Sequence, residues 1–136
     1  MIASHPRLVI DDELISKFGH RKILSGKSAE LVRDAKLVLA HDSTAISFAA
    51  LWRAPLILIT TDQIERAIYA SMEATTQILK TSRININITY DNINFLEIAQ
   101  KPIPQYNYFV ENIIKVSGSP DQSSAEILIK GLKKYV

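Results

Sequence analysis

The chain has 136 residues, 47% of them apolar and 22% charged, with 16 basic against 14 acidic side chains and no cysteine. These proportions exclude a disordered chain, a collagen and a disulfide scaffold, and they predict one globular domain over residues 1–136. A chain of this size buries roughly two thirds of its unfolded surface, enough for a core without covalent staples.

The formal charge of +2 is spread along the chain, and its densest basic group is Lys130, Lys133 and Lys134. Nucleic acid is therefore not an expected partner. The longest apolar run, Ala54 to Ile59, is six residues, against the roughly 20 that span a bilayer. With no signal-peptide pattern and no cysteine, the expected location is cytoplasmic. Met1-Ile2-Ala3 reads as the end of a strand, so the chain is expected to begin inside a larger fold.

Strand and helix signals alternate from there. A short strand over Lys22 to Ser25 leads into a helix over Lys27 to Ala35, with Ala29, Leu31, Val32 and Ala35 on one face. Leu37 to Ala40 reads as a strand buried on both faces. Ser43 to Arg53 follows as an apolar helix, and Pro55 to Thr60 as a second buried strand whose leading proline tolerates the missing N–H. Asp62 and Glu65 stand at capping-box spacing ahead of a helix to about Lys80, with Ile64, Ala67, Ile68, Met72, Ile78 and Leu79 on its core side. Ile84, Ile86 and Ile88 alternate with Asn85 and Asn87, which predicts an edge strand with one buried face. Asp91 to Pro104 is mixed. Tyr106, Tyr108 and Phe109 lead to the Ser117-Gly118-Ser119-Pro120 break, and Ser123 with Glu126 caps a last helix over about Asp121 to Lys134.

Several motif matches fail on spacing. Arg7 to Glu13 resembles the opening of a receiver domain, but Asp42, the only downstream aspartate at a strand end, comes too soon for a β-α-β-α-β run. Gly26-Lys27-Ser28 lacks the glycine a phosphate-binding P-loop needs, since Arg21 stands there. No serine sits in a Gly-x-Ser-x-Gly elbow. His5, His41 and Asp42 lack the spacing of a metal site, and no metal is expected.

One constellation survives. His5-Pro6-Arg7 follows one strand, and His41-Asp42-Ser43-Thr44 follows another and opens a helix. In an open parallel sheet, strand ends of this kind face one crevice. The first turn of a helix offers free N–H groups and a positive dipole end; the Ser43 and Thr44 hydroxyls, His5 and Arg7 add donors for a phosphate or diphosphate. The plainer reading makes Asp42 or Ser43 a helix cap and His41 a structural residue.

The run from Lys22 to Ala45, followed by Pro55-Leu56-Ile57-Leu58-Ile59-Thr60-Thr61, resembles the C-terminal half of bacterial surface-carbohydrate glycosyltransferases of the two-Rossmann GT-B fold. The resemblance covers roughly residues 2 to 65, and bacterial sialyltransferases and polysialyltransferases share a related His-Pro and Ser-Ser/Thr pairing. It implies a three-layer, Rossmann-like α/β domain with a mainly parallel sheet of four to five strands. It further implies that His5, Ser43 and Thr44 contact the phosphate of a nucleotide-sugar donor such as a CMP-sugar, with no cofactor; Arg7, beside His5, is expected as a second phosphate contact. His41 and Asp42 become contacts to the sugar or base. The glycan acceptor site and the acidic general base of such enzymes lie in an N-terminal half, for which Asp11, Asp12 and Glu13 do not substitute. The chain alone is then expected to bind donor without transferring it, with the full enzyme peripheral to the inner face of the membrane. The rival expectations are a glycerol-phosphate or other phosphoryl-group transferase of wall polymer synthesis and a non-enzymatic, receiver-like regulatory domain.

Overall fold

The computed structural model describes residues 1–88, 93–115 and 118–133. Its centre is the most apolar segment of the chain: Leu56–Thr60 forms β4, in which Ile57, Leu58 and Thr60 are fully buried and Leu56 nearly so. A strand hidden on both faces needs neighbours on both edges. Val38–Ala40 (β3) pairs with one edge of β4, Val38 against Leu56, and Ser82–Asn85 (β5) pairs with the other, Ile59 against Ile84. Both pairings are parallel, giving the order β3-β4-β5.

Parallel neighbours require crossover connections, and helices supply them. Ala45–Trp52 (α3) joins β3 to β4, and Asp62–Leu79 (α4) joins β4 to β5. The small side chains Ala49 and Ala50 of α3 are almost completely buried, which lets this helix sit close to its neighbours. They join Val38, Ala40, Leu56, Leu58, Met72 and Leu79 in one core with Tyr106 and Phe109. Those aromatics come from Tyr106–Phe109 (a short helix following Phe95–Gln100, α5, and named α6). The helix widens into a π-type turn over Val110–Ile114, closed by the Lys115 N–H on the Val110 carbonyl at 2.8 Å.

A second, two-stranded parallel ladder stands apart. Ile2–Ser4 (β1) pairs with Ile23–Ser25 (β2), Ile2 against Ile23, with Asp12–Lys17 (α1) between them. Ser28–Arg33 (α2) then leads to β3. The fold is thus α/β, with five strands among the described residues and each pairing between them parallel, but the expected single sheet is divided. The orders β2-β1 and β3-β4-β5 would be those of one doubly wound 2-1-3-4-5 sheet if β1 and β3 were laddered. Instead, Met1 and Ala3 line one cleft of about 530 Å³ together with Leu37, Val38 and Leu39. The seam falls where the winding direction reverses.

Four local expectations are corrected. Leu39 is 55% exposed, so β3 is not buried on both faces; it is the sheet edge, and its outward side chain meets the seam. Helix α4 is capped by Thr61, whose Oγ1 accepts from the Ile64 N–H, so Asp62 and Glu65 do not form the box. Of its expected core face, Met72 and Leu79 are buried and Ala67 is exposed, because the helix kinks at Ile68. Strand β5 is an edge as expected but ends at Asn85, and Ile88 is 76% exposed. The last helix, Ser124–Leu132 (α7), carries the expected Ser123–Glu126 capping box. Asp91, Ser117 and Lys134 lie outside the described residues.

Candidate functional site

The two loops singled out by the sequence follow β1 and β3. After β1, the chain turns at once: the Leu8 N–H bonds the His5 carbonyl, and the Arg7 N–H donates to His5 Nδ1 at 3.2 Å. With Nδ1 accepting, the neutral imidazole carries its proton on Nε2, so the ring offers a donor. Beyond the turn, Asp11 caps α1 by accepting from the Leu14 N–H, which accounts for the acidic Asp11-Asp12-Glu13 run as a helix start. His5 and Arg7 are both exposed.

After β3, each residue of the second cluster takes a different task. Ser71 of α4 donates to Asp42 Oδ1 at 3.0 Å, which ties Asp42 to that helix. Ser43 Oγ accepts from the Ala45 N–H at 3.2 Å, and the Ser43 carbonyl accepts from Ile46. Thr44 occupies the cap position of α3 in a helical conformation and makes no side-chain cap bond. The Ser43 O–H therefore keeps its proton to donate, and the Thr44 hydroxyl has no protein partner among the described residues. His41 through Thr44 are all exposed.

Among the described residues, no hydrogen bond or ion pair joins the His5–Arg7 turn to the His41–Thr44 segment. The seam cleft is lined by Met1 and Ala3, by α2, β3 and the chain between them, and by Ala45 at the start of α3, but by no residue of His5–Arg7 or His41–Thr44. No three His, Asp or Glu side chains among them converge as a metal site. No described helix is long and apolar enough to cross a membrane.

No protein-family model, curated protein or solved structure matches the chain.

The start of α4 makes a useful contrast with that of α3. Asp62 donates its N–H to Asn87 Oδ1 at 3.0 Å and accepts from Asn85 Nδ2 at 2.7 Å, while Thr61 takes the Ile64 N–H. Its first turn is closed by protein groups and carries a carboxylate. Nearby, Arg83 of β5 lies across the Tyr69 ring and between two carboxylates, 3.0 Å from Glu73 and 3.7 Å from Glu65. Nη1 faces Glu73 off the angle of a hydrogen bond, so this is an ion pair that leaves an N–H unsatisfied. Gln77, and then Arg83, hold the Glu73 carboxyl below its ordinary range. Asp62, Glu65, Arg66 and Tyr69 line an open cleft of about 500 Å³ beside this network. The sequence reading missed it because its members are spread from 62 to 87 with no local motif.

Proposed function

We propose that the chain is the donor-binding domain of a bacterial glycosyltransferase of surface-polysaccharide synthesis, with a nucleotide-sugar phosphate held between the β1 and β3 loops. The observation that supports a phosphate there is the donor set at those loops, and the choice of a glycosyltransferase rests on the sequence resemblance over roughly residues 2 to 65. His5 presents Nε2–H, the Ser43 and Thr44 hydroxyls sit at the open end of an eight-residue helix, and Arg7 makes no ion pair among the described residues. Helix N-termini with adjacent hydroxyls and a cation favour phosphate oxygens. Asp42, which would repel a phosphate, is drawn to Ser71 instead. In the full enzyme these donors would stabilise the departing nucleotide phosphate as negative charge builds on it. Acceptor site and general base belong to the other half in this reading, so the chain binds donor without transferring sugar.

Isothermal titration with CMP, CDP, UDP and GDP tests the site. One nucleotide is expected to bind at millimolar concentration or better, and the His5→Ala/Ser43→Ala double variant should weaken it by about tenfold or more, as the loss of two charge-assisted or hydroxyl contacts implies. Equal binding by the double variant, or no nucleotide binding at all, removes the reading.

A further inference from the structure

A second concave site lies at the other end of the sheet. Pro55 immediately precedes β4, whereas His41 immediately follows β3, its parallel neighbour, so the two positions stand at opposite edges. There, the chain between α3 and β4 meets the connection from α5 to α6 and encloses a cleft of about 240 Å³. Arg53, Gln100 and Lys101 supply its polar groups, Pro55, Pro102 and Ile103 supply apolar wall, and no carboxylate lines it.

Arg53 is the telling residue. It ends α3 at φ 54°, in the left-handed region where a side chain crowds the backbone and glycine is the usual choice. The Ala54 N–H closes the helix end on the Ala49 carbonyl at 2.9 Å, a geometry that asks for that conformation and for nothing of an arginine side chain. What the arginine adds is a guanidinium at the cleft, anchored by Nη2 donating to Asn107 Oδ1 at 2.7 Å, with further N–H groups left over. Lys101 brings a second cation. Its partner Glu97 lies 3.0 Å away in a pair that is exposed on both sides, which costs little to open.

We propose that this cleft binds a small organic anion, a carboxylate or phosphate monoester with a compact apolar body. The Arg53 fork and the Lys101 ammonium take the oxyanion, Gln100 adds an amide contact, and the two prolines and Ile103 enclose the body. The volume of about 240 Å³ falls just below the usual range for small-molecule sites, about 300 Å³ upward, and favours a compact anion over a nucleotide. The site stands independently of the nucleotide reading.

The chain carries its own reporter: Trp52, its single tryptophan, adjoins Arg53 and is partly exposed. Its fluorescence is titrated with butyrate, with glycerol phosphate and with chloride at matched ionic strength, and amide shifts of Gln100, Lys101 and Ile103 are followed by NMR as a second readout. Saturable binding of at least one organic anion is expected, and the stronger of the two separates a carboxylate site from a phosphate site. Arg53→Gly suits the left-handed backbone, so it should fold with an equal or higher thermal midpoint while weakening binding by about tenfold or more; Lys101→Gln should weaken it as well. The His5→Ala/Ser43→Ala variant should bind butyrate as the parent does. A response no different from chloride, or saturable binding that survives both Arg53→Gly and Lys101→Gln, overturns the proposal.

Discussion

Glu126 accepts hydrogen bonds from both the backbone N–H and the hydroxyl of Ser123, and these bonds hold its carboxyl below the ordinary value of 4.5. A carboxylate whose folded pKa is depressed contributes stability that is complete above its unfolded pKa and is lost as pH falls through the folded one. Helix α7 should therefore lose helicity on acidification below about pH 4.5, and Glu126→Gln should flatten that dependence; circular dichroism with a carboxyl titration by NMR checks both. A Glu126 that titrates at or above its ordinary value would contradict this. The Ser123–Glu126 box was legible because cap and partner lie three residues apart in a helix with no buried residue among those described. Asp62 and Glu65 share that spacing, but Thr61, one residue earlier, is extended at φ −132° and takes the cap with its hydroxyl. At the candidate site, the types of His5, Ser43 and Thr44 could be read in advance, whereas the bond that turns Asp42 toward Ser71 spans 29 residues and left no trace in any local pattern.

At the scale of elements, apolar runs identified β3 and β4 within a residue or two, and the asparagine alternation identified β5 as an edge. The α6 aromatics were harder. Tyr106 is 4% exposed, and its hydroxyl donates to the Ala54 carbonyl at 2.6 Å, bracing the chain just before β4 from a helix fifty residues on. Burial pushes its phenol pKa up, so this donor stays protonated. A four-residue helix flowing into a π-type turn has too short a period to register in the sequence. Tyr106→Phe keeps the ring and leaves the Ala54 carbonyl buried without its donor, which costs about 1–2 kcal/mol. A urea midpoint lowered at unchanged slope, by that free energy divided by the slope, would show it, and an unchanged midpoint would mean that the bond is matched by water in the variant.

For the molecule as a whole, the alternation of strands and helices pointed correctly to an α/β fold with parallel pairing, and what it could not convey was the seam. Ladder formation between β1 and β3 depends on contacts some 35 residues apart in sequence and on packing that no periodicity encodes. The exposed area is 9989 Å², against about 7,100 Å² for a folded monomer of this mass. Much of it is apolar: Val9 and Ile88 are each 76% exposed, Leu96 78% and Leu128 64%. The β1–β2 ladder has three residue pairs and, apart from Ser4, no fully buried side chain. Its amides should exchange with deuterium well before those of β4, by opening locally instead of through global unfolding. Equal protection in the two ladders would show that the halves open as one unit.

The seam also leaves β3 with one side unladdered among the described residues. Leu37-Val38-Leu39-Ala40 carries no charge and no proline on that side, the usual devices by which an edge discourages pairing. The strand that ladders with β4 on one flank is, on the other, a template for a strand from a neighbouring molecule. Crowding many copies together would set intermolecular strand addition at β3 in competition with closure of the seam against β1.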